Sequence, residues 1–329
     1  MKLEILQSCP EVIRNFLTYC ETIKGKSSRS VEGYYIDLRT FFRYILLIRG
    51  KVEKGTDFEK INISDENVNI ELIKTITITD LYAFLVFCKE ERHNSPASRA
   101  RKTSTLRIFF KYLSSHTHQL EKNPALMLEA PKIKQSLPKH LTLEDSLELL
   151  NSVDGPYKER DYCILTLFLN CGLRLAELCS LNLSSIASDG TMTVTGKGNK
   201  ERVIYLNPAC MEAIKAYLAV RPNEGIPANE RDALFISRNR KRISPKTVQH
   251  IVKTYLEKSG LGNKGYSTHK LRHTAATLMY QHGNVDIRIL KDILGHANLG
   301  TTQIYTHVSS KQMKQAVDSN PLANVKKKK

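Results

Sequence analysis

Between Ser27 and Gly50 apolar residues return every three or four positions: Val31, Tyr34, Tyr35, Leu38, Phe41, Phe42, Ile45 and Ile48. That spacing predicts a helix with one buried face, capped by Ser27 or Ser28 and stopped by Gly50. A polar insert, about 51–75, follows. Thr79 and Asp80 then open a second helix through the apolar run LYAFLVFC, and a third is expected over about 98–113. The pattern lapses at 129–139, EAPKIKQSLPK, where two prolines and no hydrophobic period mark an extended connector. Beyond it, helices are expected at about 142–152, 157–170 and 174–181, then a hairpin in which MTVTGK and ERVIYL flank a turn around Gly198 and Asn199. The stretch SPKTVQHIVKTYLEKSG carries Ser244 as cap, Pro245 in the first turn and Gly260 past the end. Further helices fit 268–282 (ended by Gly283), 286–294 (ended by Gly295) and about 301–315. The expectation is a mainly α protein: a helical domain over 1–132, a linker over 133–139, and a mixed α+β domain with a small β-hairpin sheet over 140–329.

Composition narrows this picture. The chain has 329 residues, 41% hydrophobic and 25% charged, which is ordinary for a globular protein and excludes wholesale disorder, a collagen-like chain or a small disulfide scaffold. Lys plus Arg number 50 against 33 Asp plus Glu, a net charge of +17. That excess calls for nucleic acid, an anionic membrane or an acidic protein as partner. Membrane is the weakest candidate, because the longest apolar run is far short of the roughly 20 residues of a spanning helix. No signal-peptide core appears at the N-terminus, so the protein is expected to be soluble and not exported. Seven cysteines without a CxxC pair, among them Cys88, Cys163, Cys171 and Cys179 in apolar stretches, point to reduced, buried thiols in a cytoplasmic setting. Both halves are basic, with 22 basic and 16 acidic side chains up to residue 135 and 28 and 17 beyond it. In the third helix Arg99, Arg101, Lys102, Arg107 and Lys111 stand beside apolar residues, which reads either as a solvated face or as a phosphate-contacting, DNA-binding surface. Lys326 to Lys329 form a basic tail.

The usual catalytic signatures are absent. The sequence holds no GxxxxGK[ST] loop, no GxGxxG after a strand, no GxSxG elbow and no HExxH, so ATP-driven and dinucleotide chemistry have no support and no cofactor is expected. His269 and His273 share one helical face at a spacing compatible with metal ligation, but neither Glu nor Cys lies nearby to complete a site, and no metal is expected. What remains is a set of basic residues and one tyrosine. Arg174 follows a helix-breaking Gly172, with Glu177 one turn later on the same face; Lys197 sits at the hairpin turn; His269 and Arg272 project from one helix; His296 follows the helix stop Gly295; Tyr305 falls mid-helix. Singly, each has an ordinary structural use as an ion pair, a solvated turn residue, a cap or a half-buried ring.

Together they do not. CGLRLAEL, then GKGNK, then HKLRH, then LGH, then TTQIYTH nine residues after His296, in that order over about 135 residues, resembles the tyrosine recombinases (phage integrases), and within them the Xer-type site-specific recombinases. The resemblance spans nearly the whole chain, including the linker region from Asn123 to Lys139. It implies a helical core-binding (SAM-like) N-terminal domain and a catalytic domain that close on duplex DNA as a clamp. It further implies that Tyr305 is the nucleophile, forming a 3′-phosphotyrosyl bond and releasing a 5′-hydroxyl. Arg174 and Arg272 match the arginines that hold the scissile phosphate, and Lys197 the lysine that protonates the leaving oxygen. His269 matches the histidine that assists proton transfer, His296 the residue that hydrogen-bonds the phosphate, and Glu177 the acidic support of the first arginine. Two protomers per DNA site and four per synapse are implied, whether copies of one chain or a pair of paralogues.

The chemistry suits those roles. A tyrosine hydroxyl with a pKa near 10 is ionised to about one part in 1,000 at neutral pH and needs a base or strongly cationic surroundings. Planar guanidiniums stabilise the charge built on the non-bridging oxygens. A hairpin lysine can surrender a proton, which arginine effectively cannot. Storing the phosphodiester energy covalently makes a nucleotide unnecessary. Three other readings stand beside a Xer protein resolving chromosome or plasmid dimers near the nucleoid: an integrase of a mobile element, a type IB topoisomerase, and a non-catalytic DNA-binding accessory protein. The absence of an arm-binding domain ahead of residue 1 and the wording LGHANLGTTQIYTHV favour the Xer role; the LGHANLGTTQIYTH wording and the intact basic set count against the last two. The insert at about 51–75 and the ending after Tyr305 depart from the usual Xer pattern.

Overall fold

The computed structural model describes residues 9–133, 139–196, 200–282 and 286–295. The chain divides into two compact units, 1–135 and 136–329. It is mainly helical, with one small antiparallel sheet among the described residues.

The first unit contains α1 (Glu11–Thr22), α2 (Ser28–Ile48), α3 (Ile70–Lys74), α4 (Ile78–Glu90) and α5 (Pro96–Lys111). Their starts are set by side chains that satisfy orphan backbone N–H groups: Ser27 accepts from Ser30, Asn69 from Leu72, and Ser95 from Ser98. Thr77 and Asp80 form a reciprocal capping box, so α4 begins at Ile78, one residue ahead of the Thr79 that the sequence pattern suggests. Pro96 in the first turn likewise moves the start of α5 forward, and the helix runs on through a π turn at Tyr112–His116. The core is aromatic. Phe16, Phe41, Phe42, Phe84, Phe109 and Phe110 are fully buried, and pairs such as Phe16–Phe109 (5.3 Å, 83°) and Phe41–Phe84 (5.1 Å, 76°) meet edge to face. Each such pair adds about 1 kcal/mol beyond its area burial. The insert at 51–75 is less polar than its composition suggests, since Ile61, Ile63, Val68, Leu72 and Ile73 are buried in this core.

The second unit is built around α7 (Lys158–Cys171), which follows α6 (Leu143–Asn151). Residues 163–169 of α7 are buried on every side, so it is the central helix, with α9 (Pro208–Val220) and α11 (Thr268–His282) packed on it. Between α7 and α9 come α8 (Leu175–Ser180) and the hairpin of β1 (Thr191–Thr195) and β2 (Glu201–Tyr205), in register with Thr193 opposite Val203. Met192, Val194 and Ile204 turn into the core. The helix α10 (Pro245–Lys258) is capped by Ser244 as its punctuation predicts, and α12 (Ile287–Leu294) ends at Gly295 in the left-handed conformation. Neither α1 nor α9 was expected from the pattern, although Asn207, which caps α9, and Pro208 behind it form a start signal.

Candidate active site

Helix α7 ends at Gly172, whose φ of +59° belongs to the left-handed region that glycine enters without penalty. The turn brings Arg174 to the N-terminus of α8. There its backbone N–H donates to Glu177 Oε2 at 2.8 Å and its Nη1 donates to Glu177 Oε1 at 2.6 Å. Glu177 is 3% exposed, yet it is not a lone buried charge. Arg202, from β2, meets it with two parallel bonds, Nη1 to Oε1 at 2.7 Å and Nη2 to Oε2 at 2.9 Å, and Arg272 Nη1 stands 3.7 Å from Oε2. Burial by itself would raise the carboxyl pKa. The hydrogen bonds and charges of Arg202 and Arg174 outweigh it and hold Glu177 down at about 2, so it is a carboxylate at any working pH.

The same three arginines hold the end of α12. Arg202 Nε donates to Ile293 O at 3.0 Å, Arg272 Nη2 to Leu294 O at 2.6 Å and Arg174 Nη2 to Gly295 O at 2.8 Å, while Arg272 Nη1 also donates to Gly172 O at 2.6 Å. The last carbonyls of a helix lack intrahelical partners and carry its negative dipole end, which suits guanidinium donors. One carboxylate and three guanidiniums thus tie α7, α8, β2, α11 and α12 together and leave an excess of positive charge. The side chain of Arg272 is 4% exposed and that of Arg202 14%, against 38% for Arg174. Arg174 is therefore the member open to an incoming anion. Arg202 belongs to none of the motifs in the sequence; the one signal for it is the alternation of ERVIYL, which sets it on the inward face of β2 with Ile204.

His269 lies one turn before Arg272 on α11, and its Nε2 is 3.0 Å from Nε2 of His273. Burial, then the positive charges of Lys270, Arg272 and Arg174, hold its pKa below the ordinary histidine value, so it is neutral near pH 7 and able to accept a proton. The structure thus brings Arg174, Glu177, His269 and Arg272 into one neighbourhood. Lys197, His296 and Tyr305 lie outside the described residues, as do Gly198, Asn199, Gly283 and the helix expected at 301–315.

On α5 the five basic positions separate. Arg101, Arg107 and Lys111 are exposed and Arg99 is half-buried. Lys102 is buried instead of facing solvent: its Nζ donates to Asp37 at 3.0 Å, and Arg101 and Thr105 bond the same carboxylate. Asp37 on α2 recruits it, a partner 65 residues away that no local pattern reveals. All seven cysteines are buried thiols, and Cys171 Sγ lies 3.8 Å from Cys210 Sγ. Among the described residues no cluster of three or more His, Cys, Asp or Glu is placed to hold a metal, and no helix is long and apolar enough to cross a membrane.

Guanidiniums gathered behind a glycine turn, beside a neutral histidine, form an arrangement suited to holding a phosphate and moving a proton next to it. The family described as phage integrase matches residues 139–312, and the chain belongs to that family. It is 52% identical over 314 residues to tyrosine recombinase XerC of Caldanaerobacter subterraneus subsp. tengcongensis, covering 95% of this chain and 88% of that one. It is 31% identical to tyrosine recombinase XerD of Proteus mirabilis, covering 92% and 90%. The fold is shared with the XerH site-specific recombinase in its post-cleavage complex with palindromic difH substrate, at a TM-score of 0.71 and 22% identity over 93% of this chain and 84% of that one. The chain is thus a Xer-like tyrosine recombinase, a site-specific recombinase by enzyme class.

Proposed function

We propose that the enzyme cuts and rejoins duplex DNA through a covalent bond to Tyr305, with Arg174 and Arg272 binding the scissile phosphate. Lys197 protonates the leaving 5′-oxygen, His269 takes the tyrosine proton, His296 bonds the phosphate and Glu177 holds the arginines in place. The observation that carries this reading is the sharing of Glu177 by Arg174, Arg202 and Arg272. Arg174 spends one N–H on Glu177 and one on Gly295 O among the described residues, so of its five donors others remain for a phosphate. The first unit serves as the core-binding domain, with Arg99, Arg101, Arg107 and Lys111 of α5 as its phosphate contacts, and the second as the catalytic domain. The protein acts as a tetramer on two DNA sites, with copies of itself or with a paralogue, and its biological task is resolution of chromosome or plasmid dimers in the cytoplasm, at the nucleoid.

A nicked duplex carrying the recombination site tests the chemistry, because cleavage there releases a short strand and traps the protein on DNA. Wild type is expected to give the adduct; Tyr305→Phe is expected to bind the duplex and give none. Binding by wild type without adduct would replace this reading with a DNA-binding accessory role. Relaxed plasmid without recombinant product would favour a topoisomerase.

A further inference from the structure

One group at the site has no role in the chemistry above. His273 sits four residues after His269 on α11, on the same helical face, and is nearly buried. The two Nε2 atoms are 3.0 Å apart and the rings are nearly perpendicular, at 75° with centroids 4.4 Å apart. At that distance one Nε2 carries a proton and donates it to the lone pair of the other. A neutral imidazole has one N–H and one lone pair, so the direction of this bond decides what the other nitrogen of His269 can do. If His273 donated, His269 would carry its proton on Nδ1 and could only donate it. If His269 donates, its Nδ1 is bare and can accept.

We infer that His273 is a positioning residue for His269: its Nε2 accepts the Nε2–H of His269, which fixes the ring and leaves Nδ1 as the acceptor for the proton of the attacking hydroxyl. The inference rests on the assignment of Tyr305 and His269 proposed above. In the forward step the tyrosine O–H bond breaks and an N–H bond forms at His269 Nδ1 as the tyrosine oxygen bonds phosphorus. The P–O5′ bond breaks, and the leaving oxygen takes a proton from Lys197. Rejoining runs the same transfers backwards, so no other reactant is needed. His269 then passes through an imidazolium state, which Lys270, Arg272 and Arg174 oppose by their charge. A bond from Nε2–H to a neutral acceptor strengthens when its donor becomes cationic. His273 thus does for this base what a third group does in other oriented nucleophile–base pairs.

The test uses the full-length protein, the nicked duplex and four variants: His273→Phe, His273→Gln, His269→Ala and the double variant His269→Ala with His273→Phe. Single-turnover adduct formation is measured from pH 5 to 9, with DNA binding and thermal melting alongside. Phe, which offers no acceptor, is expected to slow adduct formation at least tenfold and to move the acid limb to lower pH. Gln, whose amide oxygen can accept, is expected to stay within a few-fold of wild type. Phe at 273 should cost nothing further once His269 is Ala. An unshifted pH profile in His273→Phe, or equal further loss in the His269→Ala background, would overturn the inference while leaving the cleavage reading intact. Absence of adduct from wild type would overturn the cleavage reading, and this inference with it. Should the Phe variant fail to fold, nitrogen chemical shifts of histidine-labelled wild type decide: protonation of His269 at Nε2 supports the inference, and at Nδ1 overturns it.

Discussion

At the scale of single residues, Glu177 does more than its place beside Arg174 implies. A buried carboxylate repays its desolvation only if its partners are close and numerous, and this one receives four bonds within 3 Å from Arg174 and Arg202. Glu177→Gln removes the negative charge that Arg174, Arg202 and Arg272 share, and is expected to destabilise the second unit by about 3–5 kcal/mol at pH 7. The pH dependence has a definite sign. The folded pKa, about 2, lies below the ordinary carboxyl value of 4.5, so the stabilisation is complete above pH 4.5 and is lost as pH falls from there toward 2. The gap in urea-unfolding free energy between wild type and Glu177→Gln should therefore narrow by about 1 kcal/mol on going from pH 7 to pH 4. A gap that is the same at both would show that the charge is not what Glu177 contributes. His269 runs parallel: its lowered pKa means that acidification from the ordinary histidine range downward charges the unfolded chain first and weakens the fold as it removes the base.

At the scale of elements, the site depends on how closely α7 and α12 approach at Gly172. A Cβ built there would meet Leu294 Cδ2 at 2.9 Å and Ala275 Cβ at 3.5 Å, on a backbone with φ +59°. Gly172→Ala combines about 1–2 kcal/mol of left-handed strain with an overlap against buried Leu294, next to the carbonyl that Arg272 holds. Melting is expected to drop by several degrees, and cleavage by more than the folded fraction explains; an unchanged melting temperature would show that the turn has slack. This packing also marks how far the sequence could be read. Arg174, Glu177, His269 and Arg272 were legible because each stands beside punctuation, a Gly turn or a helix face, and because their order matches a family. Arg202 was not, because its meaning comes from Glu177 across 25 residues and from α12 across 91. The caps at Ser27 and Ser244 were legible as local side-chain chemistry, while α3 was hidden in a polar insert whose buried residues come in runs too short to show a helical period. Lys102 failed for the same reason as Arg202, through a distant partner.

At the scale of the whole molecule, the +17 charge has two separable parts. Some cations are committed internally: Lys102 to Asp37, and Arg202 and Arg272 to Glu177 and the end of α12. Others, such as Arg107 and Lys111 four residues apart on α5, are exposed. Only the second kind can displace condensed counterions from a duplex. Each phosphate neutralised adds about −0.9 to the slope of log K against log salt, and a protein touching six phosphates loses about a thousandfold in affinity between 50 and 200 mM salt. Arg107→Ala with Lys111→Ala is expected to flatten that slope by roughly two without a change in melting temperature. Lys102→Met, by contrast, leaves Asp37 short of a charge partner and should lower the melting temperature of the first unit while leaving the slope as it is. Measuring affinity for one duplex across a salt series with these two variants separates the cations that hold the fold from those that hold DNA. A flattened slope in Lys102→Met, or an unchanged one in the double variant, would move the phosphate contacts of this unit away from the exposed end of α5.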